Sequence, residues 1–200
     1  VLFRSLLAGV EHAGLRDQRA RLLKAARGNV LEIGAGTGAN LPFYGSAVEP
    51  LTLAEPEPPM ARRLASHVRR EVRPADLITA PAEQLPLPDS RFDTVVSTLV
   101  LCTVHDPVRA LGEVWRVLKP GGTLLFIEHV RAENTRVARW QDRLNGINRI
   151  IAHGCNCNRS TLSTIRDAGF TIDRVEHGEL RKAPPFLRPL VIGAARKGAP

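Results

Sequence analysis

Short apolar runs alternate with helically spaced apolar positions along most of this chain, the pattern of a mainly parallel sheet covered on both faces. Strands are expected over Asn29 to Ile33, Leu51 to Glu55, Asp76 to Thr79, Thr94 to Leu101 and Thr123 to Val130. Leu15, Leu22, Leu23 and Ala26 recur at helical spacing ahead of the first strand, and Gly28 supplies the stop. Further helices are expected near Ala39 to Tyr44, Pro58 to Glu71 and Pro107 to Leu118, with turns at Pro56, Pro86 to Asp89 and Lys119-Pro120-Gly121-Gly122.

Beyond Val130 the pattern changes. Val137, Trp140, Leu144, Ile147 and Ile150 fall on one helical stripe, and Arg136, Arg139, Arg143 and Arg149 lie off it. The stripe reads first as a core-facing surface. A lid over a hydrophobic substrate and a contact with anionic lipid headgroups are the alternatives. Ser160 is placed to cap a helix through Ala168 that Gly169 closes, and strands follow at Thr171 to Glu176 and Pro189 to Ala195.

The 200 residues suit a single domain spanning 1–200, and 44% hydrophobic with 24% charged residues is ordinary for a globular protein. The net charge of +8 raises a nucleic-acid or anionic-membrane partner. The arginines are scattered, however, with short pairs such as Arg62-Arg63 and Arg69-Arg70, so the charge reads as a solvated surface and nucleic acid is not the expected partner. Cys102, Cys155 and Cys157 cannot form a disulfide framework and lack zinc-knuckle spacing, so a reducing cytoplasm and no metal are expected. Cys102, on an apolar strand, reads as a packed small hydrophobe; Cys155 and Cys157 fall in a polar loop without a third and fourth ligand at recognised spacing, and a metal or redox role there is the alternative. No apolar stretch is long enough to span a bilayer. Val1-Leu2-Phe3-Arg4-Ser5 equals one reading frame of a common sequencing adapter and is expected to be non-native, with the native N-terminus truncated.

The densest chemical signal is Val30-Leu31-Glu32-Ile33-Gly34-Ala35-Gly36-Thr37-Gly38, an apolar strand entering a glycine-rich turn and then a helix. Such a turn leaves no side chain between the backbone and a nucleotide-like ligand. Gly34, Gly36 and Ala39 also satisfy the loose dinucleotide fingerprint, so the turn alone leaves the ligand open. Glu55 closes the second strand seventeen residues after Gly38, where a carboxylate can accept from ribose hydroxyls, and Met60 follows one turn later, placed to pack on an adenine.

Leu31 to Gly38, Glu55-Pro56, Ala82-Glu83-Gln84-Leu85-Pro86, Phe92-Asp93-Thr94-Val95-Val96 and Leu118-Lys119-Pro120-Gly121-Gly122 stand in the order found in class I S-adenosylmethionine-dependent methyltransferases. The chain resembles that family over nearly its whole length. The resemblance implies a Rossmann-like, doubly wound α/β fold with seven strands, mostly parallel, the last antiparallel. It implies S-adenosylmethionine as cofactor, held by the turn of Gly34, Ala35, Gly36, Thr37, Gly38 and Asn40, with Glu32 near the amino group. Glu55 and Pro56 then form the ribose side, Met60, Ala82 and Glu83 the adenine side, and Thr98 with Leu99 the methionine side. One departure is Pro81, where many relatives carry Asp before the Ala-Glu pair.

The second half, with Ser97 to Val104, Glu128-His129-Val130, Trp140, Gly154-Cys155, Arg159 and Ala168-Gly169-Phe170, is similar to small-molecule methyltransferases, including membrane-anchored vertebrate enzymes acting on alkyl thiols. The implied reaction is methyl transfer to a small hydrophobic acceptor. A thiol is favoured; phenol, quinol and amine remain open. A thiol with pKa near ~8.5 needs little help with its proton, whereas a phenol near ~10 needs a base. His129, at the end of the fifth strand, is the candidate catalytic residue, as a base or as an orienting group; a structural histidine explains the position equally well. His105 and Asp106 follow the fourth strand.

Two other readings compete. A nicotinamide-dependent oxidoreductase would use the same turn but lacks room for a substrate domain. A nucleic-acid methyltransferase acting on base amino groups would carry Asn/Asp-Pro-Pro-Tyr/Phe where Thr98-Leu99-Val100-Leu101 stands. A peripheral membrane contact is the remaining partner expectation.

Overall fold

The computed structural model describes residues 14–71, 74–152 and 154–198, so the adapter-like segment Val1 to Ser5 lies outside the described residues. Five strands, Gly28–Ile33 (β1), Val48–Ala54 (β2), Asp76–Ile78 (β3), Phe92–Thr98 (β4) and Leu118–His129 (β5), run parallel. Thr171–Glu179 (β6) and Pro189–Arg196 (β7) complete the sheet in the order β3-β2-β1-β4-β5-β7-β6, with β7 antiparallel to both neighbours. The expected α/β architecture is the one observed. Strand order reverses between β1 and β4, the position at which ligands bind in open α/β sheets.

Side chains alternate across the sheet with period two. Leu31, Ile33, Val95, Leu124 and Phe126 face the helix Pro107–Val117, while Val30, Leu51, Leu53, Val96, Leu125 and Ile127 face Leu22, Leu23 and Leu64. The helices are Arg16–Leu23 (α1), Pro58–Val68 (α2), Pro107–Val117 (α3), Thr135–Ile151 (α4) and Thr161–Asp167 (α5). Asp106 caps α3 by accepting from the N–H groups of Val108 and Arg109 at 3.0 Å, and Asn134 caps α4 through Arg136 and Val137. Among the described residues no helix is long and apolar enough to cross a membrane.

The structure corrects four sequence expectations. Ala39 to Tyr44 is not an α-helix; only Leu41–Phe43 forms a 3₁₀ turn, because Pro42 lacks an N–H and Gly45 follows at once. The segment that follows the glycine turn therefore presents no α-helix N-terminus to it. Strand β4 ends at Thr98 rather than Leu101, since Leu99 turns out of the strand at φ +60°. Lys119 to Gly122 lies inside β5 as an irregularity: Leu118 pairs with Phe92, and the next pair is Thr123 with Thr94.

The fourth correction concerns α4. Its polar residues Gln141 and Asn148 are buried, whereas Trp140 is 55% exposed, Ile147 58% and Ile150 84%. Gln141 explains the inversion. Its Nε2 donates to the carbonyls of Val130 (3.0 Å) and Cys157 (2.8 Å), and its Oε1 accepts from the N–H of Ala132 at 2.8 Å. The helix thus docks through hydrogen bonds to two loops and leaves its apolar stripe outside.

Candidate active site

The turn after β1 carries Gly34 at φ +56° and Gly36 at φ +58°, left-handed conformations that a side chain resists. A Cβ on Gly34 would lie 2.6 Å from Val100 Cγ2, so that glycine is needed for packing. A Cβ on Gly36 would meet nothing nearer than the Gly34 carbonyl at 4.0 Å. That side of the turn is open backbone. Ala35 N–H donates to the Ala54 carbonyl at 2.9 Å, which fixes the turn against the end of β2.

Glu55 follows β2 and is 4% exposed. Its Oε2 accepts from Gly36 N–H at 2.7 Å and its Oε1 from Glu57 N–H at 2.9 Å. Each carboxylate oxygen keeps a second lone pair, so the group can take two hydroxyls while still holding the turn. An anchored acceptor beside bare glycine backbone fits the nucleoside of S-adenosylmethionine. Pro56 is exposed beside it, and Met60 is half-buried in the first turn of α2.

Glu32 and Asn40 belong to a buried network that extends beyond the motif. Glu32 accepts from Asn40 Nδ2 (2.9 Å) and the Tyr44 hydroxyl (2.7 Å), while Arg19 Nη1 donates to Asn40 Oδ1 and Thr98 Oγ1, both at 2.9 Å. Burial raises the Glu32 carboxyl to about 7, against the opposing hydrogen bond from Tyr44, and burial also pushes the Tyr44 hydroxyl well up. Arg19 and Tyr44 stand outside every motif of the sequence. Arg19 nevertheless carries a signal: a charged side chain on the helical stripe of Leu15, Leu22 and Leu23 calls for a buried partner.

Ala82 is buried, and Glu83 Oε1 accepts from the N–H groups of His105 (2.8 Å) and Asp106 (3.3 Å). Glu83 therefore ties the loop of Ala82 to Pro86 to the loop after β4. Asp106 is occupied as the α3 cap, and His105 is exposed. Leu99 N–H donates to the Ile127 carbonyl at 2.7 Å, which brings Thr98 and Leu99 to the same sheet edge as His129.

Glu128, fully buried, holds that edge together. It accepts from Ser97 Oγ (2.7 Å) and from the N–H groups of Val100 (3.0 Å) and Cys102 (3.1 Å). Burial keeps its carboxyl above the ordinary range. His129 is 8% exposed, and its Nε2 is buried without a hydrogen-bond partner among the described residues. Its Nδ1 lies 3.4 Å from Cys155 Sγ and 3.8 Å from Cys102 Sγ. The Cys102 contact and His129 hold the Cys155 thiol low, and Cys155 and burial push Cys102 up. Cys155 and Cys102 are thus in contact, although a polar loop and an apolar strand were expected to hold them.

Comparison with known proteins identifies the family. Residues 31–126 match the family described as a methyltransferase domain. Human thiol S-methyltransferase TMT1A is 34% identical over 173 residues, covering 84% of this chain and 70% of that protein. Mouse thiol S-methyltransferase TMT1B is 38% identical over 185 residues, covering 88% and 74%. A crystal structure of a methyltransferase from Bacillus halodurans superposes with a TM-score of 0.76 at 17% identity, over 90% of this chain and 99% of that one, a likeness of fold. With its glycine turn, Glu55 and sheet order accounted for, the chain belongs to the S-adenosylmethionine-dependent methyltransferases.

Proposed function

We propose that this enzyme methylates the sulfur of a small, apolar thiol. The observation that carries the reading is His129: a buried imidazole at the carboxyl end of β5 whose Nε2 has no hydrogen-bond partner among the described residues. A thiol, ordinarily near pKa ~8.5, needs little help with its proton, whereas an alcohol needs a strong base, so a group that only holds and orients the acceptor suffices for a thiol. The named activity of the TMT1A and TMT1B relatives supports the same acceptor class.

S-adenosylmethionine supplies a methyl group activated by its sulfonium, so alignment of donor and acceptor is the main task left to the protein. The Gly34 to Gly38 turn, Glu55 and Glu32 fix the donor. His129 Nε2 holds the acceptor sulfur in line. A carbon–sulfur bond forms as the sulfonium's methyl–sulfur bond breaks, the thiol proton leaves to solvent, and the products are a methyl thioether and S-adenosylhomocysteine.

Val137, Trp140 and Leu144 of α4 line a shallow groove with Pro184, Pro185 and Phe186. Pro189, just beyond that turn, accepts from Val130 N–H at 3.3 Å, so the groove opens near the His129 edge. It is suited to the apolar part of the acceptor. The exposed stripe with Arg136, Arg139, Arg143 and Arg149 around it also suits a peripheral membrane surface, from which hydrophobic thiols would be drawn.

A screen of thiols, phenols, quinols and amines that follows S-adenosylhomocysteine release tests the reading. Thiols should turn over, and His129→Ala should lower kcat/KM about ten- to a hundred-fold, a loss of about 1.4–2.7 kcal/mol in transition-state stabilisation. Cofactor affinity should not change. Turnover confined to phenols or quinols would sink the thiol assignment.

A further inference from the structure

Cys102, His129 and Cys155 bring three metal-ligating atoms together from three separate segments: the turn after β4, the end of β5 and the loop after α4. The Cys155 Sγ to His129 Nδ1 distance is 3.4 Å, Cys102 Sγ to Cys155 Sγ 3.7 Å, and Cys102 Sγ to His129 Nδ1 3.8 Å. Around a tetrahedral zinc ion, with Zn–S about 2.3 Å and Zn–N about 2.0–2.1 Å, two sulfurs stand about 3.8 Å apart and a sulfur and a nitrogen about 3.6 Å apart. The spacing found is that of one face of such a tetrahedron.

Hydrogen bonding alone accounts poorly for the convergence. Nδ1 offers a single in-plane direction, as donor or as acceptor, yet two sulfurs approach it. All three side chains are buried: Cys102 is 0% exposed, Cys155 5% and His129 8%.

The donors are also held in advance. Cys102 N–H donates to Glu128 Oε2 at 3.1 Å, and the Cys102 carbonyl accepts from Asn156 N–H at 2.7 Å. Asn148 Nδ2 donates to the Cys155 carbonyl at 2.8 Å, and Thr161 Oγ1 to the His129 carbonyl at 3.2 Å. Cys157, two residues from Cys155, has its sulfur 3.9 Å from Asn145 Oδ1 and is not part of the group.

We propose that Cys102, His129 and Cys155 bind one thiophilic closed-shell cation, zinc(II) or copper(I), through two thiolates and a neutral imidazole. Zinc's fourth position is left for water or an exogenous ligand, the pattern of an open rather than a closed site. Any thiol protonated before binding gives its proton to the buffer. Ligation through Nδ1 puts the remaining imidazole proton on Nε2, the atom without a protein partner among the described residues, where it is available to hydrogen-bond a thiolate acceptor.

Cobalt(II) and zinc(II) titrations of the reduced, chelator-treated full chain test the site. One cobalt per chain should give a thiolate-to-cobalt charge-transfer band that zinc displaces. Zinc should also raise the melting temperature and shield Cys102 and Cys155, but not Cys157, from maleimide, as mapped by mass spectrometry. The band should persist in Cys157→Ser and vanish in Cys102→Ser and Cys155→Ser; His129→Ala should weaken binding at least about ten-fold. Copper(I) binding without zinc or cobalt binding would assign the site to copper. If the serine variants fail to fold, the wild-type band and maleimide map decide. Absence of binding by all three cations overturns the proposal, as does a band lost in Cys157→Ser. A Cys102–Cys155 disulfide forming under peroxide at the same rate with and without zinc would make the pair a redox couple instead.

Discussion

Glu55 accepts the N–H of Gly36 at 2.7 Å, so the residue we propose for the ribose also holds the turn that we propose cradles the rest of the cofactor. Truncation to alanine removes both roles. With a charged hydrogen bond contributing about 1.5–3 kcal/mol, Glu55→Ala should weaken S-adenosylhomocysteine binding about ten-fold to over a hundred-fold by isothermal titration. Glu55→Gln keeps one carbonyl oxygen and should fall between. Wild-type affinity in the alanine variant would show that the ribose is held elsewhere.

Gly34 and Gly36 have nearly the same φ but opposite surroundings, and their alanine variants should separate folding from binding. Gly36→Ala meets open space, so it should cost only about 1–2 kcal/mol of backbone strain and yet abolish measurable cofactor binding by covering the cradle. Gly34→Ala drives a methyl into Val100 and should lose at least about 2–4 kcal/mol in urea unfolding. Tight cofactor binding by Gly36→Ala would show that the open side of the turn does not face the ligand.

Glu32 has a carboxyl raised to about 7 from 4.5, with burial the main cause. A raised folded-state value means that the neutral acid is the form the fold prefers. The stability it contributes is complete below pH 4.5 and is lost as pH rises through about 7. A tenfold difference in proton affinity is worth about 1.4 kcal/mol, so the whole loss is on the order of 3 kcal/mol. Glu32→Gln removes this dependence. The stability difference between wild type and variant should therefore move in the variant's favour across pH 4.5 to 7; parallel profiles would place the titration elsewhere. If the cofactor's ammonium meets Glu32, binding near neutral pH should also release protons, read from titrations in buffers of different ionisation enthalpy.

The sheet and glycine turn were legible because strands buried on both faces leave continuous apolar runs, and because a bare turn needs glycine. The place of Glu55, just after β2 and beside the turn, was legible through its spacing from Gly38. The side proposed for the acceptor was not. Cys102, His129 and Cys155 are separated by 27 and 26 residues and meet only where a turn, a strand end and a loop fold together, so no local spacing announces them. Glu128 was visible as part of a motif, but its role depends on two N–H groups freed when β4 ends early at Thr98. In α4 the sequence shows which stripe is apolar. It does not show that three backbone groups of the flanking loops will capture Gln141 and turn that stripe outward.

That inversion makes the last prediction. Gln141 is fully buried and serves the Val130 and Cys157 carbonyls and the Ala132 N–H. Gln141→Leu nearly keeps the volume and adds apolar surface, yet it strands all three groups and should destabilise by about 3–5 kcal/mol at 1–3 kcal/mol per unsatisfied group, discounted for relaxation. Trp140→Ala removes a large aromatic that is 55% exposed and should cost about 1 kcal/mol or less. A core-facing stripe would reverse the order, because burying Trp140 would make its loss cost about 3–5 kcal/mol while Gln141 could be replaced freely. Since Trp140 lines the groove near the His129 edge, Trp140→Ala should also raise KM for long-chain thiols more than for short ones while leaving S-adenosylhomocysteine affinity unchanged. An equal effect on both chain lengths would remove the groove from the acceptor path.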